Sequence, residues 1–507
     1  MIKTNFKKQL PLNLFSNVGY FALNVVVGIW MVPYLIRHLG VAGYGFIPLA
    51  SSATAYVSLI TLALNGAVSR FLVIALHKND IDGANKIFNT AFWSLALLLV
   101  ILVPLSGVFS WLTPRIFNVP VNLTSQVQWL FFLMLLSFIV SVFSSVFSVS
   151  TFAHNRLDLR NLVDMSNISV RTALVVSLFV FLSISLVSVG VAYLVGGLMS
   201  LGLGYFLFRK LTPLLKISRQ YFDFSRLREL TSMGGWLVVD QIGSLLFLQV
   251  DLMVANILFG AHKAGQYGAI LQWSFLLRSL AGVIASVLTP MVFISHAKDE
   301  TQRIVSMSQR AVKFMGLGIA VPVGLLCGFA VPLLTLWLGQ DYAPFASLLW
   351  VLTFHLVVNL AVLPLFAINN ALNRVKIPGR VTLVMGTGNL FLAVILAKFC
   401  GWGLYGIAAA GAITLTLKNT FFIPIYAAHI LKLSSMTFLK PISRGILLAG
   451  ISMAIGWIFS HTIMIDGWPK LLLMGGLAFL FAVTVGFGLL GKDRGSLRSA
   501  FAVRSQE

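Results

Sequence analysis

Fourteen apolar runs, each long enough to cross a bilayer, restrict how this chain can fold more than any other feature. A transmembrane helix needs about 20 consecutive, mostly apolar residues, and these runs are bounded by charged residues, proline and glycine. Their approximate limits are 10–35, 43–69, 86–110, 124–151, 161–182, 186–208, 231–258, 264–294, 308–328, 344–370, 378–398, 402–428, 441–461 and 468–490. The apolar segment 329–338 is too short to span a bilayer, and we interpret it as a loop.

The composition leads to the same class of protein. Of the 507 residues, 58% are hydrophobic and only 10% are charged, and the mean hydropathy is +0.94. A soluble domain carries about 25% charged residues, so this chain cannot cover a water-exposed surface with polar groups. The sequence therefore predicts an all-α polytopic membrane protein with about 14 transmembrane helices.

The basic residues predict the orientation of the chain in the membrane. Lys and Arg number 36 against 14 Asp and Glu, which gives a formal net charge of +22. With the N-terminus placed in the cytoplasm, 28 of these cations fall in inner loops and ends, and three lie inside spans. The five that remain outside are Arg37, Arg115, Lys263, Lys398 and Lys470. Because cytoplasmic loops are enriched in Lys and Arg, we expect both termini in the cytoplasm, and the positive charge requires no nucleic-acid partner.

Catalytic and metal-binding motifs are weak or missing in the sequence. Cys327 and Cys400 lie in apolar runs about 70 residues apart, without the spacing of metal ligands. A P-loop-like Gly486-x4-Gly491-Lys492 is followed by Asp493, where Mg²⁺ coordination needs Ser or Thr. We therefore expect a transporter without catalytic residues, metal or cofactor, and not an enzyme.

Three short motifs recur in order at nearly one offset. The repeated pairs are Gly40 with Tyr44-Gly45 and Gly260 with Tyr267-Gly268, His-x-x-Asp at 77–80 and 296–299, and Ala-x-Asn-Arg at 153–156 and 371–374. The repeating unit holds six spans, an even number, so both copies should insert in parallel and be related by a pseudo-twofold axis along the membrane normal. The predicted organisation is a six-helix lobe (1–208), a basic cytoplasmic linker (209–230), a second six-helix lobe (231–428), and two additional helices with a cytoplasmic tail (429–507).

Three cations lie inside predicted spans: Arg171, Arg278 and Lys418. A charge at the centre of a bilayer costs about 2.5–3.5 kcal/mol, so each should face a protein interior or a water-filled cavity. Arg offers a planar fork that binds phosphate in a bidentate manner. We predict that the three cations bind an anionic substrate. Two alternatives remain open: Arg171 could form a clamp with Asp164 and Asn167, and Arg278 could pair with an aspartate of the seventh span.

The first span carries polar residues on one helical face. Asn13, Asn17, Tyr20 and Asn24 follow one another at spacings of 4, 3 and 4 residues, which places them on the same side of a helix. We predict that Asn17, Tyr20 and Asn24 contact the substrate. Alternatively, the asparagines hydrogen-bond neighbouring helices and serve packing alone.

Two aspartates on the seventh span, Asp240 and Asp251, are eleven residues apart and about 16 Å apart along one helical face. They either couple an ion to transport or neutralise Arg278. On the tenth span His355 and Asn359 are one turn apart, and we interpret them as packing residues rather than as a proton relay.

Several short motifs resemble the start of a known family. Val32-Pro33-Tyr34-Leu35, Leu39-Gly40 and Tyr44-Gly45, followed by Ser69-Arg70-Phe71, resemble polysaccharide-biosynthesis flippases, which export O-antigen-type lipid-linked oligosaccharides within the multidrug/oligosaccharidyl-lipid/polysaccharide exporter superfamily. The resemblance covers the whole chain in length, span number and two-lobe repeat. It implies a V-shaped pair of lobes that moves an undecaprenyl-diphosphate-linked oligosaccharide across a bacterial inner (plasma) membrane by alternating access, for surface polysaccharide assembly.

The same resemblance implies further partners and leaves other functions open. The expected partners are the lipid-linked oligosaccharide, membrane lipids, and the polysaccharide polymerase and chain-length machinery. In the lipid II flippase the two extra C-terminal helices form a groove for the prenyl tail, and the last two spans here occupy the matching position. An ion-coupled drug or metabolite exporter and a lipid II flippase remain as alternatives. Drug exporters often carry an acidic residue in the first helix, whereas the first span here has Asn24 and no Asp or Glu.

Overall fold

The computed structural model describes residues 6–78, 80–225, 235–297, 300–372 and 374–490. Across these ranges the regular structure is helical, without a β-strand. Twelve helical segments in these ranges are long and apolar enough to cross a membrane, and the predicted all-α polytopic fold is confirmed. Parts of the second and third repeated motifs, and the end of the Gly486–Lys492 segment, lie outside the described residues.

Two of the twelve segments are far longer than one crossing requires. They comprise 46 residues over Pro11–Tyr56 and 48 residues over Val238–Ala285. Each is interrupted by a glycine with positive φ and extended ψ, Gly40 (φ 73°, ψ 165°) and Gly260 (φ 81°, ψ 174°). Glycine adopts this backbone readily because it has no Cβ. Division at the two kinks gives fourteen segments, and both kinks fall in the repeated glycine–tyrosine motif.

The chain forms two compact units, of which the first comprises Met1–Ala269 and Thr382–Leu390. The helices that begin in it are α1 (Phe6–His77), α2 (Ile81–Ile116), α3 (Thr124–Ala153), α4 (Leu157–Phe181), α5 (Leu186–Leu211), α6 (Gly235–Leu248) and α7 (Val250–Ala297). Buried aromatic rings of α2, α3 and α5 form part of its core: the rings of Phe88 and Phe208 are stacked at 4.7 Å, and those of Phe147 and Phe208 are tilted at 5.3 Å. The predicted lobe boundaries at 208 and 231 stay a prediction.

The two copies of the repeated glycine motif pack against each other within the first unit. A Cβ on Gly45 would lie 2.8 Å from the Cα of Gly265, and a Cβ on Gly265 would overlap the Val41 carbonyl. Real Cβ atoms do not approach backbone this closely, so both positions need glycine. The repeat therefore supplies a backbone-to-backbone contact in addition to the two kinks.

The second unit comprises Ile270–Val381 and Phe391–Glu507. The described helices that begin in it are α8 (Thr301–Gly328), α9 (Ala330–Leu338), α10 (Ala346–Thr353), α11 (Leu356–Ala361), α12 (Leu363–Ala371), α13 (Lys376–Val394), α14 (Leu404–Leu417), α15 (Ile423–Ile430), α16 (Lys440–Thr462) and α17 (Trp468–Leu490), with single π-helical turns at Ile395–Phe399 and Lys418–Phe422. Residues Thr382–Leu390 of α13 belong to the first unit. The interpretation of 329–338 as a loop is wrong, because α9 occupies it. An apolar segment has few side chains that can bond the backbone, so a helix is what satisfies its N–H and C=O groups.

Small residues bring α8 and α16 into close contact in the second unit. A Cβ on Gly328 would lie 2.6 Å from the Met453 carbonyl oxygen, and a Cβ on Gly445 would lie 3.0 Å from the backbone of Gly316. Small residues at such spacings let two helix backbones approach in membrane proteins. The first of the two C-terminal helices is therefore closely packed against α8 and is part of the second unit.

Candidate functional site

A polar cavity of about 330 Å³ lies in the first unit, where α1, α3, α4 and α5 meet. Three residues that the sequence analysis selected line it: Tyr20 and Asn24 of α1, and Arg171 of α4. The other polar residues of its wall are Arg160, Asp164, Asn167, Ser141, Ser144, Ser145, Ser148, Thr151 and Ser200. We call this space the polar cavity.

The α4 wall of the polar cavity is one helical face. Arg160, Asp164, Asn167 and Arg171 follow one another at spacings of 4, 3 and 4 residues, the same pattern that the first span shows at its asparagines. Side chains at such spacings lie one above another on a helix. The local sequence of α4 therefore projects two cations, one carboxylate and one amide into the same space.

Arg171 does not form the alternative clamp with Asp164 and Asn167. Its guanidinium lies over the ring of Tyr193, 4.3 Å from the ring centroid. Asn167 donates to the Ser200 hydroxyl at 2.9 Å, and the cation that acts electrostatically on Asp164 is Arg160. Among the described lining residues two arginines face one carboxylate, which leaves the cavity with a positive balance.

The polar face of α1 divides into two halves with different roles. Asn13 donates to the Asn155 carbonyl at 3.0 Å and accepts from the Asp158 N–H at 3.0 Å, and Asn17 accepts from the Asn161 amide at 2.6 Å. These two asparagines join α1 to the region where α4 begins. For Asn17, the packing alternative describes the observed contact, while its role in substrate binding stays a prediction.

The other half of that face, Tyr20 and Asn24, borders the polar cavity. The Asn24 amide donates to the Tyr20 carbonyl one turn earlier at 3.0 Å. One amide hydrogen is thereby used within the helix, while the amide oxygen is an acceptor with capacity for a ligand.

The hydroxyl groups of α3 are not among the residues predicted from the sequence, which were chosen mainly for their charge. Seven Ser and Thr residues fall between 137 and 151 in an otherwise apolar span, and five of them line the polar cavity. Ser141 donates to the Ser137 carbonyl at 2.9 Å, and Ser148 donates to the Ser145 carbonyl at 2.7 Å. Such hydroxyls satisfy their hydrogen locally and present acceptor lone pairs to the cavity. The high density of Ser and Thr in this one span is the sequence feature that could have indicated a polar wall.

A second group of predicted residues lies in the second unit, where two helices are irregular. His355 lies in the break between α10 and α11, and Lys418 begins a π-helical turn. The Asn359 amide lies 2.6 Å from Nδ1 of His355 and donates to the Thr416 hydroxyl at 3.3 Å. Asn419, next to Lys418, donates to the Asn359 carbonyl at 3.4 Å. The interpretation of His355 and Asn359 as simple packing residues therefore omits a buried polar network.

Arg278 and Lys418 both border this network. Arg278 is within electrostatic range of His355, and Lys418 is buried with its Nζ 5.7 Å from the ring of Phe366. Single π-helical turns in α-helices occur frequently at functional sites, because they redirect a side chain. Lys418 directly precedes Asn419 of this network, and the role of the two cations in substrate binding stays a prediction.

The two aspartates lie on different helices of the first unit. Asp251 is buried, and its Oδ2 accepts a hydrogen bond from the Tyr267 hydroxyl at 2.9 Å. Asp240 lies on α6 and Asp251 on α7, with a turn at Gln249 between the helices. Tyr267 belongs to the repeated motif, so this bond ties a predicted ion-coupling residue to the packed glycine region. Pairing of either aspartate with Arg278 stays a prediction. Within the described ranges no three His, Cys, Asp or Glu side chains are placed to hold a metal ion.

The sequence has relatives among known proteins. Residues 13–296 match a family described as polysaccharide biosynthesis protein. The chain is 36% identical over 481 residues to the uncharacterized membrane protein EpsK of Bacillus subtilis (strain 168), with 94% of each protein covered. It is 24% identical over 412 residues to a Shigella flexneri protein named for O-antigen transport, with 79% of this chain and 94% of that protein covered.

Solved structures share the fold. The lipid II flippase MurJ in an inward closed conformation matches with a TM-score of 0.68 at 16% identity, over 94% of this chain and 99% of that one. An inward-facing multidrug resistance transporter of the MATE family, MOP superfamily, matches with a TM-score of 0.63 at 14% identity, over 85% and 98%. At this level of identity the likeness establishes the fold, which is that of membrane transporters.

Proposed function

This chain belongs to the polysaccharide biosynthesis protein family, and we propose that it is a flippase for an undecaprenyl-diphosphate-linked oligosaccharide. It would move this lipid from the cytoplasmic to the outer leaflet by alternating access, to supply surface polysaccharide assembly. The proposed location is the bacterial inner membrane, with both termini in the cytoplasm. The O-antigen transport named for the Shigella flexneri relative supports this choice of substrate class.

The observation that carries the proposal is the polar cavity of the first unit. A sugar chain on a diphosphate cannot enter hydrocarbon without losing its hydration, and burying unpaired polar groups costs several kcal/mol each. The cavity offers hydroxyl and amide groups from α1, α3 and α4 for sugar hydroxyls. Arg160 and Arg171 supply charge for an anion, and an arginine fork can bind two phosphate oxygens at once.

Arg278 and Lys418 are proposed as further contacts for the diphosphate, in the second unit. Arg278 acts electrostatically on His355, which lies 2.6 Å from the Asn359 amide, and Lys418 directly precedes Asn419, which donates to the Asn359 carbonyl. Arg278 would bind phosphate oxygens as a planar fork, and Lys418 would act as a point charge. On this basis Arg278→Lys weakens transport although it keeps the charge, whereas Lys418→Arg is tolerated better than Lys418→Gln.

Charge also affects the energetics of the proposed transport step. An inside-negative potential favours outward movement of an anion by about 2.3 kcal/mol per charge per 100 mV. Asp240 and Asp251 are the proposed ion-coupling groups, and protons carried with the substrate would offset that gain. The buried Asp251–Tyr267 bond supports a second candidate function, ion-coupled export of small molecules.

The decisive experiment is complementation of a bacterial strain that lacks its repeat-unit flippase. Surface polysaccharide is measured per molecule of flippase in the membrane, so that folding defects are not mistaken for transport defects. Arg171→Ala should lower export about tenfold or more, the effect of one lost charge-assisted hydrogen bond, and Arg171→Lys should be intermediate. Arg115→Ala is the matched control, because Arg115 also lies over an aromatic ring, Trp111 at 4.8 Å, but outside the cavity.

Two outcomes would contradict the proposal. Failure of the wild-type chain to restore surface polysaccharide would reject the substrate class. Near-normal export by well-expressed Arg171→Ala and by the double variant Arg278→Ala, Lys418→Ala would reject the cationic contacts, while leaving a flippase that binds through its hydroxyl and amide groups.

A further inference from the structure

A cavity of about 560 Å³ in the second unit lies outside the groups used above. Four cations line it, Arg310 and Lys313 of α8 and Lys440 and Arg444 of α16. Its wall also contains the hydroxyl groups of Ser434 and Thr437, and none of the described lining residues is acidic. The volume falls within the range of about 300–1,000 Å³ that is typical of small-molecule sites. We call this space the basic cavity.

The walls of the basic cavity are held in place by the packing of the second unit. Lys313 lies one turn before Gly316, and Arg444 lies directly before Gly445. The close contact between α8 and α16 at these glycines therefore fixes the positions of both cations. The loop before α16 is anchored by the fully buried Phe438. Gln309 donates to the Thr437 carbonyl of that loop at 3.2 Å. The site is therefore preformed, and ligand binding would cost little free energy for ordering side chains and loops.

Two of the cavity cations are held in place by hydrogen bonds to backbone carbonyls of α17. Lys313 Nζ donates to the Leu490 carbonyl at 2.6 Å, and Arg444 donates to the Leu489 carbonyl at 3.0 Å. Both acceptors are backbone carbonyls of the last two described residues of α17. Arg310 and Lys440 are exposed at the mouth of the cavity. The like charges of Arg310, Lys440 and Arg444 in one space repel one another, and an anion with several oxygens relieves that repulsion.

The location of the basic cavity indicates which anion would reach it. It lies where α16 begins and within the first four turns of α8, and both helices continue as apolar membrane-length segments. Lys and Arg near the ends of such helices place their charges at the level of the lipid headgroups. The N-terminus of α16 adds the partial positive charge of its unpaired N–H groups.

We propose that the basic cavity binds the phosphate headgroup of a membrane lipid. The inference goes beyond the proposed function and does not rest on it, because the site is separate from the polar cavity and from the network around His355. A phosphate fits it through charge-assisted hydrogen bonds from arginine and lysine, with Ser434 and Thr437 as additional donors. An anionic phospholipid and a polyprenyl diphosphate carry this same chemistry.

Lipid binding to the purified full-length chain in detergent tests the proposal, with bound lipid counted by native mass spectrometry. The probes are phosphatidylglycerol, phosphatidylcholine and undecaprenyl diphosphate. The test variant is Arg310→Gln, Lys440→Gln, which leaves the Lys313 and Arg444 bonds to α17 intact. The matched control, Arg303→Gln, Lys432→Gln, also removes one arginine and one lysine charge, but at positions outside the cavity. Arg303 pairs with Glu300 there at 2.9 Å.

Wild-type protein should bind phosphatidylglycerol saturably and more tightly than phosphatidylcholine. The test variant should lose about 100-fold in affinity, about tenfold for each lost charge-assisted hydrogen bond, while the control variant keeps it. Displacement of phosphatidylglycerol by undecaprenyl diphosphate would identify the polyprenyl lipid as the favoured source. Resistance to that displacement would identify the phospholipid.

Unchanged affinity of the test variant for both lipids would overturn the proposal. A measurement on the wild-type chain covers the case in which the variant is unstable. Soluble pyrophosphate in excess should displace phosphatidylglycerol, and failure to do so would also overturn the proposal. Neither readout involves transport, so the outcome is independent of the complementation experiment.

Discussion

The segment between α5 and α6 is held against α2 by buried asparagines, and its release is open to direct measurement. The side-chain oxygen of Asn89 accepts from the Ser218 N–H at 2.8 Å, and its amide donates to the Lys216 carbonyl at 2.7 Å. Asn85 accepts from the Lys216 N–H at 2.8 Å. Of the predicted linker, 209–230, residues 209–211 form the end of α5, and the described residues 212–225 are bonded to α2 rather than forming a loose connection. Residues 226–230 of that linker lie outside the described residues.

Asn89→Ala removes two of these hydrogen bonds. Asn89 is fully buried, whereas Lys216 is exposed, so water can reach the backbone groups once the segment has opened. Each bond contributes about 0.5–1.5 kcal/mol net, and the two together contribute about 1–3 kcal/mol. At 1.4 kcal/mol for each factor of ten, the population of the opened segment should rise about 5- to 150-fold.

Trypsin reports this opening, because Lys216 and Arg219 lie in the bonded segment. When the segment recloses faster than it is cleaved, the cleavage rate follows the population of the open form. In inverted membrane vesicles Asn89→Ala should therefore be cut at these residues about 5- to 150-fold faster than wild type. Asn122→Ala is the control, since Asn122 is an exposed asparagine in the turn Val121–Leu123, far along the chain from this segment.

An unchanged cleavage rate for Asn89→Ala would refute the reasoning, as would equal acceleration by Asn122→Ala. The same assay tests orientation. Cleavage of wild-type and variant protein in right-side-out vesicles, with protection in inverted ones, would contradict the cytoplasmic assignment of the linker.

Substitutions in the repeated motif test the packing of the first unit. Gly265→Ala should lower the free energy of unfolding by about 1–3 kcal/mol or more, since its Cβ would overlap the Val41 carbonyl, whereas Gly282→Ala has nothing within 4 Å and should be neutral. Equal melting temperatures of the two variants would contradict this. Tyr267→Phe removes the hydroxyl that donates to buried Asp251 and should cost about 1–3 kcal/mol in thermal unfolding. A melting temperature equal to that of wild type would show that the hydrogen bond does not stabilise the first unit.

The sequence by itself determined the membrane class and the positions of the spans. Hydrocarbon accepts only helices with satisfied backbone groups in this kind of chain, so each apolar run of sufficient length specifies a helix. Helical periodicity likewise placed Asn13, Asn17, Tyr20 and Asn24 on one face. Charged residues inside spans are so few that each could be selected as a candidate site residue from the sequence. Arg171 and Lys418 were predicted in this way, without knowledge of their neighbours.

The tertiary structure decided which groups meet. The periodicity of α1 could not show that Asn17 bonds α4 while Asn24 borders a cavity, because that depends on how a helix 144 residues further along the chain is packed. The same holds for the α3 hydroxyls: their density is visible in the span, but only the packing of α3 against α4 shows that they line one cavity with Arg160 and Arg171. Local sequence sets the face that a helix presents, whereas contacts between distant segments decide what lies opposite that face.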